Sequence, residues 1–568
     1  MKSIIYVTLS TFLLLTSCGN KETKTKDITL INGGKTYGGE LVFSSSEVVS
    51  ETFPIASANV NVINISSQIY ETLLNIDPTT LEVVPGIASE FSSNEEGNVY
   101  TFKIRKGIFF HDDECFGGKG RELTPEDVKF SLDFVCSGNP LNQDDDILVN
   151  RIKGAKEFKS KSATSFPKGG VSGIKVKGDA VEITLNKPFI GFEELLTRKN
   201  TIIFPKEAFE KYGNDIKTHP VGTGAFKLES IDKSQIRLVR NDNYWQKDEF
   251  GNQLPYLSAV VLKFIPNKKD EMLAFRNKNI DLLLDIPAAE IENVLGTLQD
   301  AMAGKNVKHK VESSQSLNIE YVGFNTADGV FASKEVREAF LYAVNPSELI
   351  EKYIGGDGYP ATNGFVPEIE GANNQTPAAP ANPEKARKLL AQAGYANGAN
   401  FPATTIYVNG VEGSRSEALI KGYCEVIKRE LNIDLSIKLC SLTEREAAIK
   451  NGEAKIWRAG WVADYPSPIT FLELFYSSGN ATNDFKYNNA EFNKTLELSQ
   501  LEKDSRKKGF LFIKAQSLIA ADAVVSPLVV NNMLFMVNAR VKGLKANTLE
   551  QLNFKDAYIK PSVKEENE

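Results

Sequence analysis

Three side chains of complementary chemistry lie within seven residues of one another in the last quarter of the chain. Arg458, Trp461 and Asp464 belong to the segment WRAGWVADYPSP at positions 457–468. A carboxylate binds an ammonium group, a guanidinium binds a carboxylate through a planar fork, and an indole supplies an apolar wall. A zwitterionic peptide needs all three groups, and the two prolines prevent a helix from running on through the segment.

The other chemistry-bearing residues form no recognised catalytic motif. The sequence has three histidines, His111, His219 and His309, and neither an HExxH nor a Gly-x-Ser-x-Gly motif. A GGKT sequence at 33–36 looks like part of a phosphate-binding loop, but Thr29 stands where that loop requires its first glycine. Cysteines and histidines at metal-ligand spacing are also missing from the sequence. We therefore expect neither an enzyme nor a resident metal or cofactor.

The elements that must position the 457–468 segment are both α and β. Alternating apolar residues predict strands at 41–44, 100–105, 179–185 and 434–439. Helices are predicted where a capping residue precedes an apolar stripe, as at Asn59, Thr124, Ser333 and Asn382. The pattern at Asn59 predicts a helix that reaches position 74, and 362–383 predicts a surface loop.

The first residues have the layout of an export signal. The apolar run at 4–15 is too short for a permanent membrane span and is typical of a signal peptide over 1–17. The tetrad LTSC resembles a bacterial lipobox, which would make Cys18 the lipidated first residue, followed by a tether over 18–36. We expect a protein of the cell envelope, lipid-anchored outside the cytoplasmic membrane or in the periplasm. An ordinary signal peptide with a chance cysteine is the alternative.

Composition indicates a folded protein of more than one domain. Its 568 residues exceed one ordinary domain, and 42% of them are hydrophobic. The formal net charge of −7 argues against a nucleic-acid partner. The cysteines other than Cys18 permit two disulfides, Cys115–Cys136 and Cys424–Cys440, or four buried thiols, and the sequence leaves both open.

Eight motifs in a fixed order resemble one family, the extracellular solute-binding proteins of ABC importers, family 5, which includes oligopeptide, dipeptide and nickel receptors. The first long motif occupies 70–91, and the second consists of 100–113 together with 123–132. The shorter ones that follow are HPVGTGAFKL, NDNYW, YVGFNT, EVREAFLYAV, NPEKARKLLAQAGY and WRAGWVADYPSP. The resemblance covers nearly all of the chain beyond the signal peptide.

The resemblance implies an α/β fold of the periplasmic-binding-protein type (type II, cluster C), a bilobed clam-shell with an extra third domain. The predicted divisions are lobe I from 37–70, 199–315 and 526–560, the extra domain from 71–198, and lobe II from 316–525. Ligands of such proteins are buried when the lobes close about a hinge.

The resemblance also assigns roles to the charged segment. Asp464 occupies the position where similar proteins hold the amino terminus of a peptide, and a turn-capping aspartate is the alternative. Arg458 aligns with an arginine that meets a peptide's carboxyl end, and an arginine paired to a carboxylate of its own lobe is the alternative. Trp461 would either wall the pocket or belong to the core.

Main-chain contacts to the peptide are expected from both lobes. On lobe II, an extended segment would bind the peptide by strand addition, and Tyr465 would be a further contact. The residues of that segment are Ala459, Gly460, Trp461 and Val462. On lobe I, the alignment points to Ala58, Asn59 and Val60, with an ordinary loop as the alternative.

Four other residues lie in well-matched motifs, and we interpret them as structural. They are His111, Asp112, Gly222 and Gly224. The two glycines would allow a turn geometry that other residues cannot adopt.

These observations predict a receptor that captures short peptides and acts as a monomer. Its partners would be a permease with two membrane subunits and cytoplasmic ATPases. A different solute, such as an oligosaccharide, opine, metal chelate or haem, is the first alternative, and Asp464 favours peptides over it. A peptidase or a surface sensor lipoprotein without a transport role is the second alternative.

Overall fold

The computed structural model describes residues 28–57, 59–143, 146–284, 286, 310–369, 372, 376, 378, 380–477, 483–544 and 547–560. The predicted signal peptide, Cys18 and most of the predicted tether lie outside these ranges. Across them, we find no helix with the length and apolar character needed to cross a membrane.

Strands and helices are interspersed along the whole chain. The strands are β1 (Thr29–Leu30), β2 (Thr36–Tyr37), β3 (Glu40–Ser45), β4 (Leu74–Ile76), β5 (Val83–Pro85), β6 (Ala88–Ser93), β7 (Val99–Ile104), β8 (Ile174–Lys177), β9 (Ala180–Thr184), β10 (Phe226–Ile231), β11 (Gln235–Arg240), β12 (Ala259–Phe264), β13 (Leu282–Leu283), β14 (Lys310–Phe324), β15 (Tyr359–Pro360), β16 (Thr404–Asn409), β17 (Leu435–Cys440), β18 (Ile456–Val462), β19 (Val525–Val537), β20 (Val541–Lys542) and β21 (Tyr558–Ile559).

The described α-helices are α1 (Val60–Ile69), α2 (Pro125–Val135), α3 (Ile147–Arg151), α4 (Ala155–Lys161), α5 (Phe192–Leu195), α6 (Lys206–Tyr212), α7 (Lys268–Arg276), α8 (Lys334–Ala343), α9 (Pro346–Tyr353), α10 (Pro383–Gln392), α11 (Arg415–Leu431), α12 (Leu442–Lys450), α13 (Ile469–Leu472), α14 (Ala490–Leu501) and α15 (Ser505–Ala521).

One large sheet runs through both halves of the molecule. Its strand order is β10-β11-β12-β3-β13-β19-β14-β18-β16-β17, so strands from the predicted lobe I lie on one side and strands from the predicted lobe II on the other. The long strands β14 and β19 pair antiparallel in the middle, with register shifts at Gln315–Ile319 and Glu320–Tyr321. These two strands therefore join the halves.

A separate four-stranded antiparallel sheet lies wholly within the segment predicted as the extra domain. Its strand order is β6-β7-β9-β8, and it packs its apolar face against buried residues of α2 such as Val128 and Leu132. The extra domain thus has a sheet of its own, while the exact boundaries of all the domains stay predictions.

The predicted helix starts are confirmed by their caps. Asn59 Oδ1 accepts the Asn61 N–H at 2.8 Å, and Asp127 Oδ2 accepts the Thr124 N–H at 2.8 Å. Ser333 and Asn382 cap α8 and α10 in the same way. Helix α1 ends at Ile69, short of the predicted end, because the chain beyond it enters β4, which pairs with β5.

Candidate functional site

The charged segment lies within the large sheet, where β18 stands between β14 and β16. Strand β18 pairs antiparallel with β14 over its whole length, with Gly460 opposite Glu320. On its other side, β18 pairs with β16 only as far as the Val408–Arg458 partners. Residues 459–462 therefore have no strand partner on that side among the described residues, and we call this side the open edge of β18.

The register decides which main-chain groups face the open edge. The Ala463 N–H donates to the Leu317 carbonyl at 2.8 Å, which places Ala463 in the set of residues that bond to β14. Because bonding alternates along an antiparallel pair, Ala459 and Trp461 bond to β14, whereas Gly460 and Val462 point their N–H and C=O groups to the open edge. Gly460 is also exposed, which leaves room for a chain beside it.

Arg458 is tied to a buried carboxylate within its own half of the molecule. Its Nε and Nη2 donate to Glu320 Oε2 at 3.0 and 2.6 Å. Arg415 donates to the other oxygen, Glu320 Oε1, and also to Asp357 Oδ2 at 2.7 Å. The structure thus contains the own-lobe pairing that was the alternative interpretation of Arg458, and a contact with a ligand carboxylate stays a prediction.

Two guanidinium groups hold Glu320 in its charged form. Burial alone would raise the pKa of this carboxyl, but Arg458 and Arg415 outweigh burial and lower the pKa to about 2. A buried charge that accepts several charge-assisted bonds is a fixed part of the architecture. This end of β18 is therefore rigid.

Arg445 of α12 adds a further guanidinium beside Arg458. Its Nη1 donates to Asn409 Oδ1 at 2.6 Å and to the Arg458 carbonyl at 3.2 Å. Its side chain is buried, burial lowers its pKa, and its Nε has no hydrogen-bond partner within the described residues. Two guanidinium groups, those of Arg445 and Arg458, therefore lie together where β16 ends and the open edge of β18 begins.

Asp464 lies at the opposite end of the open edge and is much more accessible. Its side chain is 32% exposed, and its Oδ2 accepts from Arg198 Nε at 3.3 Å. Its N–H donates to Thr470 Oγ1 at 3.4 Å. The carboxylate thus faces solvent on one side and a nearly buried arginine, 4% exposed, on the other.

The two aromatic candidates differ in position. Trp461 is partly buried against the core, and its Nε1 finds no hydrogen-bond partner in the described part of the chain. Tyr465 is only 1% exposed, so the structure places it inside the core and not on the open edge. The hydroxyl of Tyr465 has no hydrogen-bond partner among the described residues, and its predicted ligand contact stays a prediction.

The candidates on the predicted lobe I are described only in part. Ala58 lies outside the described residues. Asn59 caps α1 and donates from Nδ2 to Glu47 Oε2 at 3.1 Å, and Val60 is exposed at the first position of that helix. Their predicted contacts with a peptide backbone stay predictions.

The motif residues interpreted as structural have structural contacts. His111 Nε2 lies 2.9 Å from the Gly224 carbonyl, and burial lowers the pKa of this imidazole to about 4, so it is neutral at physiological pH. A Cβ at Gly222 would lie 2.0 Å from the Ile69 carbonyl oxygen. The expectation of a special turn geometry is corrected, because the two glycines are required by close approach to α1 and not by positive φ angles. Asp112 accepts the Gly120 N–H at 2.9 Å.

The four described cysteines are free thiols, so the disulfide alternative is not formed. Cys136 is buried at the end of α2, and the Cys440 thiol donates to the Val408 carbonyl at 3.7 Å. Cys115 and Cys424 are partly buried. No group of three or more histidine, cysteine or acidic side chains in the described ranges is arranged to hold a metal ion.

Four charged residues that contact the candidate site residues or their partners were missed from the sequence, namely Arg198, Glu320, Arg415 and Arg445. Glu320 directly precedes the YVGFNT motif, which was the one local signal available. Arg198 is 266 positions from Asp464, and although Arg445 is only 13 positions from Arg458, its contact with β18 depends on how α12 packs.

A sheet shared by two halves, with a charged open edge on one of them, is the architecture of a bilobed ligand-binding receptor. The chain belongs to the bacterial extracellular solute-binding proteins, family 5, whose family model matches residues 82–483. The predicted fold class is confirmed by solved structures of this type.

Three similar proteins illustrate the relationship. A periplasmic binding protein, DppA, from Helicobacter pylori in complex with the peptide STSA has a TM-score of 0.77 and 25% identity, covering 92% of this chain and 99% of that one. Heme-binding protein A of Haemophilus influenzae is 27% identical over 94% of each chain. Glutathione-binding protein GsiB of Salmonella choleraesuis is 25% identical, covering 87% of this chain and 90% of GsiB. None of these similarities indicates a catalytic family.

Proposed function

We propose that this chain is the substrate-binding receptor of an ABC importer and that it captures short peptides between its lobes. The observation that carries the proposal is Asp464, a partly exposed carboxylate two residues beyond the open edge of β18. A peptide added to that edge places its ammonium group on Asp464 and bonds its main chain to Gly460 and Val462.

The charges along β18 support a direction and a length for the peptide. Arg458 and Asp464 are six residues apart on an extended chain, which is about 20 Å at roughly 3.3 Å per residue. With its amino end at Asp464 and its carboxyl end towards Arg458 and Arg445, the peptide runs antiparallel to β18. Peptides of up to about six residues match this span.

Relatives support a ligand of this chemistry. The Helicobacter protein holds a tetrapeptide, and GsiB is named for glutathione, which is a tripeptide with a free ammonium group. Heme-binding protein A is named for haem, which has no ammonium group for Asp464 to bind. The carboxylate at position 464 therefore favours peptides over haem.

The remaining parts of the proposal concern delivery and location. Loaded receptor would dock on a permease of two membrane subunits driven by cytoplasmic ATPases, and would do so as a monomer. A lipid on Cys18 would hold it in the cell envelope, on the outside of the cytoplasmic membrane or in the periplasm. Cys18→Ser is expected to release the protein from membranes in fractionated cells, and full membrane attachment of this variant would rule out the lipid anchor.

The decisive experiment is native mass spectrometry of the purified protein, followed by calorimetry with the ligands that it retains. We expect a mixture of short peptides, and tight binding of trialanine. If the protein retains haem alone, and calorimetry detects no binding of trialanine or glutathione, the ligand is haem and not a peptide. Cleavage of the added peptides would indicate a peptidase instead.

A further inference from the structure

The segment predicted as the extra domain contacts lobe II at several points. The Ile190 N–H donates to the Gln500 carbonyl at 3.1 Å, and Lys508 Nζ donates to the Ile190 carbonyl at 3.3 Å. Lys503 Nζ donates to the Glu95 carbonyl at 2.7 Å. These contacts join residues that are more than three hundred positions apart in sequence.

Two ion pairs strengthen the same interface. Arg151 at the end of α3 pairs with Glu473, and Gln500 Nε2 donates to the same carboxylate at 3.2 Å. Arg198, which follows α5, pairs with Asp464. Both arginines are largely buried, so these pairs are screened much less than pairs on an open surface.

The connectivity of the chain determines which parts of the molecule these contacts link. The extra domain is inserted between two stretches of lobe I, and the halves are joined to each other through β14 and β19. Contacts from the extra domain to residues 464–508 are therefore noncovalent bridges that form between the two sides of the molecule. They can separate when the lobes open, whereas the β14–β19 pairing persists.

We propose that Arg198 is a positioning residue for the amino-end anchor, by which the extra domain orients the Asp464 carboxylate only when it closes on lobe II. This inference rests on the proposed function. Arg198 Nε bonds to Oδ2 from the nearly buried side, so it restricts the rotation of the carboxylate and directs the exposed side of Asp464 towards a ligand ammonium. The Arg151–Glu473 pair has a different role, because it joins the extra domain to lobe II through a carboxylate other than Asp464.

The two ion pairs should therefore affect different properties. The Arg198–Asp464 pair affects the preference for a free amino end, and the Arg151–Glu473 pair affects the closure of the lobes. Loss of Arg198 leaves the anchor carboxylate misdirected, which affects ligands with a free ammonium group and not ligands whose amino end is blocked. Loss of Arg151 weakens closure, which affects both kinds of ligand by the same factor. Replacing a residue that has only a structural role would not change the ratio of the affinities for ligands with free and with blocked amino ends.

The test measures the affinity of trialanine and of N-acetyl-trialanine by calorimetry. The proteins are the wild type, Arg198→Gln, Arg198→Lys and the control Arg151→Gln, each checked for folding by circular dichroism. We expect the wild type to prefer the free amino end, Arg198→Gln to reduce that preference at least tenfold, and Arg198→Lys to restore most of it. Arg151→Gln should weaken both ligands equally and keep the preference.

Each other outcome overturns the inference. If Arg198→Gln weakens both peptides by one factor, or changes neither, Arg198 does not position the anchor. If Arg198→Gln does not fold, Arg198→Met takes its place: loss of the preference in Arg198→Met supports the inference only when Arg151→Gln keeps the preference, and a preserved preference in Arg198→Met refutes it. A wild type that binds both peptides equally refutes the amino-end anchor, and one that binds neither refutes the peptide proposal itself.

Discussion

The two ends of β18 both carry an ion pair, but the pairs are built differently. At one end, Glu320 is buried and shared by Arg458 and Arg415, all within one half of the molecule. At the other end, Asp464 is 32% exposed and pairs with Arg198, the last residue of the segment predicted as the extra domain. A buried carboxylate with two guanidiniums has its bonding capacity filled, so it serves the fold, whereas a half-open carboxylate can accept a ligand. Accessibility, and not the presence of charge, is therefore what distinguishes the proposed anchor Asp464 from the buried pair of Glu320.

The largest effect should come from breaking the buried pair. Glu320→Gln removes the charge that compensates Arg458 and Arg415, and we expect the free energy of unfolding to fall by about 3–5 kcal/mol. Urea denaturation measures this change. The control is Glu348→Gln, which breaks a partly exposed pair with Arg429 and should change stability by less than about 1 kcal/mol. Equal losses of stability in both variants would show that the buried pair stabilises the fold no more than the partly exposed pair does.

The pH dependence of Glu320 has a definite sign. Its pKa is about 2 in the folded protein and has the ordinary value of 4.5 when unfolded. The stabilisation is therefore complete above about pH 4.5 and is lost as the pH falls towards 2. Wild type and Glu320→Gln should converge in stability over this acidic range in denaturation experiments at stepped pH.

At the exposed end, the measured effect is on binding. Asp464→Ala should weaken peptides with free amino ends by roughly 2–4 kcal/mol, the cost of removing a desolvated charge partner. Calorimetry with trialanine checks the loss, and N-acetyl-trialanine is the control ligand. Unchanged affinity for trialanine would mean that the open edge binds its ligand without this anchor.

A third carboxylate, that of Glu194, extends the comparison because its pKa is shifted in the opposite direction from that of Glu320. Burial raises the pKa of Glu194 in α5 to about 7, although Lys508 and a hydrogen bond from Ser467 act against it, and Glu193 adds to it. Because this folded pKa exceeds the unfolded value of 4.5, wild-type stability should fall as the pH rises from about 4.5 to 7. Glu194→Gln removes this fall in stability. In thermal melts, the variant should be more stable than the wild type by about 1–3 kcal/mol at pH 8 and equally stable at pH 5. Parallel curves for the two proteins would contradict this prediction.

The smallest expected effect concerns the main chain of the open edge. Gly460→Pro removes an N–H that points away from β14, so ligand affinity should fall by about 1 kcal/mol, the value of one hydrogen bond. Gly460→Ala keeps that N–H, and the new Cβ would approach nothing closer than 3.7 Å, so its affinity should match the wild type. If the two variants bind peptides equally, strand addition at this edge is wrong.

Local features of the fold were predictable because they depend on neighbouring residues. The caps at Asn59 and Ser333 are set by side chains within a few positions of the helix start. The extended conformation of residues 459–462 was predicted from the resemblance of the segment to known receptors, and β18 includes these residues.

The partners of the charged residues were not predictable in this way. Glu320 and Arg458 are 138 positions apart, and Arg198 and Asp464 are 266 apart. Many carboxylates and guanidiniums could have paired, and only the register of β14 with β18 selects Glu320 for Arg458. The close approach that requires Gly222 likewise depends on where α1 ends in space.

The sheet that passes through both halves limits how the protein can be dissected. Cutting the molecule between β14 and β19 would leave each fragment with a long strand edge whose N–H and C=O groups have lost their partners. Such an edge pairs readily with another chain. Expressed alone, either half is therefore expected to aggregate, so a split reporter built from this receptor should be divided at a surface loop and keep β14 and β19 together.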